Sequence, residues 1–269
     1  MGKMAIRFFR GVSIRDGYVV FYLNDNENTE LKLPFITEKE YSIELEVAGT
    51  LINKLPLDTS RTMTILRVSG PINENDITAI LVRCISLEEL DLSNATLESL
   101  PAVNFNVTGI INLSITRLYL PFITQADYES SGSKLVFSGL LGLQDVIANK
   151  NQVSFKFYRN EDPATLNSLL FPEGTSNCVL YCYLKHTTYL SLPSTLTKFA
   201  YLTNAYDRFS CEYCIINAVS PPTVTLPKPF TSWMEVSKKI LVPKNSVDAY
   251  RASNWNQVAE IDAMEDYGY

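Results

Sequence analysis

An apolar pair with one residue between its members, most often Leu-x-Leu, returns along this chain at steps too regular for chance. It begins at Leu66 (LRVS), Leu90 (LDLS), Leu118 (LYLP), Leu169 (LLFP), Leu190 (LSLP) and Ile240 (ILVP), so the steps are 24, 28, 51, 21 and 50 residues. The two long steps are double ones, with weaker members at LQDVI (Leu143 to Ile147) and CIINAV (Cys214 to Val219), which brings the mean period to about 25. Side chains alternate along a strand, so each pair turns two apolar groups inward and the residue between them outward. One such period cannot bury its apolar edge alone, and stacking on its neighbours is the only way to cover it.

A period of about 25 falls inside the roughly 20–29 residues of a leucine-rich repeat. The stretch LEELDLSNATLESLP (Leu87 to Pro101) reads as one full repeat, although the usual turn Asn falls at Ala95 and Asn94 stands one place early. After LRVS, the segment NENDITAILVRC places Ile77, Ile80, Leu81 and Cys84 at helical spacing behind an Asn75 cap. The predicted fold is therefore α/β: a leucine-rich repeat solenoid, with parallel strands on one face, helices and turns on the other, and capped ends. The predicted divisions are a β-rich N-terminal segment (1–40), an N-terminal cap (41–61), the solenoid with its C-terminal closure (62–258) and a tail (259–269). Within the first segment, YVVFYLNDNENTELKLPF predicts a β-hairpin turning at Asn24 to Asn28, placed to cover the open first coil. At the other end, Ile240, Val242, Tyr250 and Trp255 are expected to close the last coil, with a helical turn capped by Asn245 or Ser246.

The ends of this region carry a further likeness. YSIELEVAGTLINKLPLDTSRTMTILRVSGPINENDITAI, followed by LEELDLSNATL, resembles the N-terminal cap and first repeat of the BspA-type leucine-rich repeat surface proteins of Bacteroidetes. CIINAVSPPTVTLPKPF and KKILVPKNSVDAYRASNWNQVAEI resemble that family's last repeat and closure, with its paired Pro, its VP-x-x-S-V-x-A-Y and its Trp. With LSLPSTLTKF the likeness spans roughly residues 41 to 262, while about residues 122 to 185 depart from the family pattern. The resemblance implies a secreted or surface-exposed interaction protein with no catalytic residues.

Composition removes several classes of function. With 46% hydrophobic and 19% charged residues the chain is core-forming, and a net charge of −6 without a basic run gives nucleic acid no phosphate-tracking surface. Apolar stretches such as LVFSGLLGL (Leu135 to Leu143) are too short to cross a bilayer, so no transmembrane segment is expected. MGKMAIRFFRG lacks the pattern of a signal peptide. The expectation is then a cytoplasmic protein or, following the resemblance, an extracellular or cell-surface one whose leader has been trimmed.

Chemistry-bearing motifs are few. His186 is the single histidine, in LKHTTYL without a carboxylate nearby in sequence, and reads as a surface or turn residue. G-x-S-x-G, a Walker loop and a dinucleotide fingerprint are all missing. A carboxylate pair for glycoside hydrolysis leaves no spacing to read. Cys178-x3-Cys182 and Cys211-x2-Cys214 have loosely zinc-like spacing, but they sit within repeats and alternate like core residues, and five cysteines cannot all pair. The expectation is no enzyme, no cofactor and no metal, with buried thiols ranked above a disulfide and a disulfide above zinc.

Phasing the strands on each apolar pair predicts one outward row of Arg67, Asp91, Tyr119, Ser191 and Leu241, with Glu89, Arg117, Tyr189 and Lys239 beside it. Extended solenoid faces bind partners, and Tyr and Arg carry much of the energy at interfaces. The candidate binding residues are therefore Arg67, Glu89, Asp91, Arg117, Tyr119, Tyr189 and Lys239. The expected function is a non-catalytic extracellular or cell-surface module for protein binding or adhesion to a host surface. The alternative is a glycan-capturing accessory module of a polysaccharide-using system, which would want two or three coplanar exposed aromatics close together.

Overall fold

The computed structural model describes residues 9–15, 18–23, 30–34, 39–97, 102–104, 114–123, 134–136, 140, 142–150, 154–158, 166–182, 186–201, 209–225 and 234–269. The chain forms two compact units, Met1–Lys39 and Glu40–Tyr269. The first is a three-stranded antiparallel sheet of β1 (Phe9–Arg15), β2 (Tyr18–Leu23) and β3 (Glu30–Pro34), in that order. Its β2–β3 pair, with Tyr18 opposite Pro34 and Tyr22 opposite Glu30, is the predicted hairpin. The polar turn lies outside the described residues. Strand β1 is an addition that the sequence reading did not contain; Val12 and Ile14 alternate within it as a strand requires.

The second unit is α/β with one large parallel sheet. In chain order its strands are β4 (Glu40–Glu44), β5 (Ile65–Ile72), β6 (Glu89–Leu97), β7 (Ala102–Asn104), β8 (Arg117–Tyr119), β9 (Phe122–Ile123) and β10 (Lys134–Val136). Then come β11 (Asp145–Ile147), β12 (Ser154–Tyr158), β13 (Leu166–Leu170), β14 (Asn177–Cys182), β15 (Thr187–Leu192) and β16 (Lys198–Tyr201). The last are β17 (Phe209–Ile216), β18 (Thr223–Thr225), β19 (Met234–Val242) and β20 (Ile261–Ala263). The large sheet runs β20-β19-β17-β15-β13-β11-β8-β6-β5-β4, with β9 pairing β6 beside this path. Every predicted pair therefore stands in one sheet, and the weaker members LQDVI and CIINAV supply β11 and β17.

One register row explains the recurrence. Leu66, Leu90, Leu118, Val146, Leu169, Leu190, Cys214, Ile240 and Ile261 are successive partners across the sheet. All nine are buried. Their steps run from 21 to 28 residues, so each period is one crossover that returns the chain to the same height. The starts of β6, β8 and β11 are fixed the same way: the Thr64 carbonyl accepts from the amides of Glu88 and Glu89, the Glu88 carbonyl from Thr116 and Arg117, and the Thr116 carbonyl from Gln144 and Asp145.

The other face differs from expectation. Helical backing is found between β5 and β6, where Glu74–Arg83 buries Ile77, Ile80 and Leu81 with Cys84 just beyond. Its N-cap is Asn73 and not Asn75: the Asn73 side chain accepts from the Asn75 amide, and Asp76 answers by accepting from the Asn73 amide at 2.9 Å. Elsewhere β7, β10, β12, β14, β16 and β18 form a second parallel sheet in sequence order. Its strands are runs such as SFKFY, NCVLYC and KFAY, whose aromatic residues favour extended backbone. Cys178 and Phe199 of this second sheet share one buried core with the leucine row.

Each end has its own fastening. At the first, Leu45 donates its amide to Ser69, and Gly70 turns with φ +86°; a Cβ there would overlap the Leu45 carbonyl, so the close approach requires glycine. At the last, Tyr250 and Trp255 are fully buried with Ile240 and Val242. The Tyr250 hydroxyl donates to the Ala218 carbonyl (2.8 Å) and the Trp255 indole to that of Pro222 (2.9 Å). Ser246 stands at the N-cap position of the helix Val247–Arg251, but its side chain makes no capping hydrogen bond. Residues 259–269, read as a tail, hold β20 and a 3-10 turn at Met264–Tyr267. The turn Asn role passes to Asn149, whose buried amide donates to the carbonyls of Ser93 and Leu120, while Ala95 is buried and Asn94 is exposed.

Candidate functional site

Two rows flank the buried one on the outward side of the large sheet. The first runs Glu89, Arg117, Asp145, Ser168, Tyr189, Tyr213, Lys239, and the second Arg67, Asp91, Tyr119, Ile147, Leu170, Ser191, Ile215, Leu241, Asp262. All seven candidate residues lie on these rows, yet the rows divide into two chemically distinct halves.

The N-terminal half is an ion-pair ladder. Arg67 donates to Glu40 at 2.6 Å and to Asp91 at 2.7 Å, with Glu89 at 3.7 Å. Arg117 lies 3.5 Å from Glu89 and 3.7 Å from Asp145, which also accepts from the Ser168 hydroxyl at 2.6 Å. Hydrogen bonding to Glu40, and then to Asp91, raises the Arg67 pKa against the opposing effect of burial. Tyr119 stands beside the ladder, its phenol pushed up by burial and then by the Glu89 charge. Both guanidiniums are thus already shared among carboxylates.

The C-terminal half is aromatic. Tyr189 and Tyr213, on adjacent strands, stack with ring centroids 5.8 Å apart and planes 16° apart. Tyr269 meets Tyr189 edge-on at 6.3 Å, and Tyr267 meets Tyr213 edge-on at 6.1 Å. Lys238 sits 5.1 Å from the Tyr213 ring centroid. Leu241 departs from expectation: it belongs to the outward row but is fully buried, because Met264 folds over it and Ile215. Lys239 is held by Glu260 at 2.7 Å and Asp262 at 3.0 Å, which raise its pKa, and Asp262 is held low by Lys239 first and by the Tyr267 hydroxyl. Burial and the Tyr189 phenol push Tyr269 up to about 12.

Between these rings and β13 lies an open pocket of about 470 Å³, within the range of small-ligand sites. Leu170, Ile215, Met264, Tyr189 and Tyr269 make its apolar walls, with Ser168, Ser191 and Asn217 at its polar points. Sequence phasing found Tyr189 and Ser191 but missed the others. Tyr213 had the signal: it precedes the buried Cys214 just as Tyr189 precedes Leu190. Met264 and Tyr269 lie beyond the last period and had none.

His186 gains partners that its sequence neighbours do not supply. Its Nδ1 is 2.9 Å from the Ser210 hydroxyl, and its Nε2 is 4.0 Å from Glu212. Glu212 accepts instead from Lys238 at 2.6 Å, which lowers its pKa. Among the described residues, Glu212 is the carboxylate nearest the imidazole, at 4.0 Å, farther than the hydrogen bond that orients the base of a hydrolase triad. Cys178 belongs to the second sheet and Cys211 and Cys214 to the large one; the Cys182 side chain lies outside the described residues. Burial pushes all three thiols up, and Cys84 to about 12. Among the described residues no three His, Cys, Asp or Glu side chains gather as a metal site.

None of the described helices is long and apolar enough to cross a membrane. No protein-family model matches the chain, and a search of the curated proteins finds no significant match.

Proposed function

We propose that the chain is a leucine-rich repeat solenoid of the BspA-like kind, acting at the cell surface or outside the cell as a non-catalytic module that holds a protein or host-surface partner on the outward face of its large sheet. The observation that carries this reading is the cluster of Tyr189, Tyr213, Tyr267 and Tyr269 on that face, of which Tyr189 and Tyr269 line an open apolar pocket. Exposed aromatics beside apolar concavity are the groups that carry binding energy at interfaces. The solenoid assignment is supported by the 21- to 28-residue return of one buried row and by the cap-like sequences at both ends. The binding act needs no cofactor, because surface complementarity supplies it.

The glycan reading draws less support. Tyr189 and Tyr213 face one another across neighbouring strands, whereas a sugar platform needs rings laid side by side with their faces free. The ladder half, with Arg67, Glu89, Asp91 and Arg117 satisfied by one another or by Glu40 and Asp145, contributes alignment more than affinity.

The test is to screen the purified chain against host matrix proteins and glycan arrays, then to measure affinities of variants for the ligand found. Tyr189→Ala and Tyr269→Ala should each weaken binding by about 1 kcal/mol or more, while Tyr119→Ala beside the ladder, and Glu74→Ala and Arg83→Ala on the helix behind the sheet, change it by less than about 0.5 kcal/mol. Binding that survives both the Tyr189 and the Tyr269 change would remove the outward face from the account.

A further inference from the structure

We infer that the pocket between Tyr189, Tyr269 and Met264 is an anchor site for an uncharged aromatic side chain of a partner polypeptide, a conclusion that rests on the proposed binding role of the outward face. The pocket exists because Ser168, between Asp145 and Tyr189 in one row, and Ser191, between Leu170 and Ile215 in the other, are small, so a gap is left against the Tyr189 ring. None of the side chains lining it carries a charge, whereas the ladder immediately along the same rows is saturated with charges. A charged anchor would be desolvated there without a counter-ion.

The choice between a sugar and a hydrocarbon ring follows from polar satisfaction. Among the described residues, the Ser191 hydroxyl makes no hydrogen bond and the Asn217 carboxamide uses its nitrogen on the Leu192 carbonyl at 3.1 Å, leaving its oxygen open. Those two groups can meet one phenol or one backbone amide. A pyranose would bring several hydroxyls against Leu170, Ile215 and Met264, and most would lose their water partners without replacement. An aromatic ring instead extends the edge-on arrangement that Tyr269 already makes with Tyr189, and it meets the polarizable Met264 thioether.

The test uses the protein labelled with 13C at its methionine methyls, the Met264 signal being assigned with Met264→Leu, and titrated with N-acetyl-tyrosine amide. The account expects a saturable shift of the Met264 methyl with a dissociation constant on the order of millimolar, the strength open to one unlinked side chain. Methyl β-glucopyranoside over the same range should leave that signal in place. Ser191→Trp, which fills the gap, should weaken the titration at least about tenfold, and Tyr269→Ala, at a half-exposed ring, at least about threefold. Tyr269→Ala carries the test where Ser191→Trp fails to fold. A Met264 signal unmoved by the tyrosine amide, or moved at lower concentration by the glycoside, overturns the anchor assignment. A silent pocket combined with partner binding that still depends on the tyrosines would sink the anchor and leave the outward face standing.

Discussion

The two halves of the Glu40–Tyr269 unit solve the same problem with different chemistry. In the N-terminal half, β4 to β8, polar groups do the fastening. The Asp76 carboxylate, buried at the start of the Glu74–Arg83 helix, accepts from the amides of Gly49, Leu51 and Asn73, and the outward face is closed by the Arg67–Arg117 ladder. In the C-terminal half, β13 to β20, rings do it: Trp255, Tyr250 and Phe199 inside, Tyr189, Tyr213 and Tyr269 outside. The pocket of about 360 Å³ in the N-terminal half is walled in part by Arg67 and Asp91, which already satisfy one another, whereas the pocket of the C-terminal half is walled by rings around small residues. One repeated backbone thus yields a charged half and an aromatic half.

Removing the largest ring gives the largest effect. Trp255 is fully buried, tilts against Phe199 at 5.6 Å and holds the Pro222 carbonyl, so Trp255→Ala should cost about 3–5 kcal/mol by chemical denaturation. A variant with unchanged stability would mean that the aromatic half is closed by something else. The counterpart in the polar half is Asp76→Ala, expected to cost about 2–3 kcal/mol because three backbone amides lose their acceptor. Asp76→Asn, which keeps one acceptor oxygen, should cost less. If Asp76→Ala proved harmless, the contrast between the halves would collapse, since the carboxylate would be ornamental.

The contrast also marks what could be read beforehand. The leucine row was legible because its period is carried by identical residue types; β11 and β17 were fainter because Val146 and Cys214 replace leucine in the same buried row. The Glu74–Arg83 helix was legible from Ile77, Ile80 and Leu81, but its cap was misplaced by two residues, since Asn73 and Asn75 look alike until Asp76 is seen to answer Asn73. The second sheet was missed because short apolar runs such as KFAY do not distinguish strand from turn by period. On the outward face, phase alone found both arginines of the ladder and Tyr189. It could not find the pocket, which joins β13, β15 and β17 to Met264 and Tyr269 from beyond the last repeat. Coverage by a later segment also explains why Leu241 was read as exposed: the alternation was right, and Met264 then buried it.

The central claim is that the aromatic half, and not the ladder, holds the partner. Its most direct test is the affinity of one identified protein partner for Tyr189→Ala and for Arg117→Ala, measured side by side well below both melting temperatures. The account predicts a loss of about 1–2 kcal/mol for Tyr189→Ala, roughly five- to thirtyfold, and less than about 0.5 kcal/mol for Arg117→Ala, whose charge is already shared between Glu89 and Asp145. A large loss with Arg117→Ala beside an unaffected Tyr189→Ala would contradict it and move the binding site to the charged half.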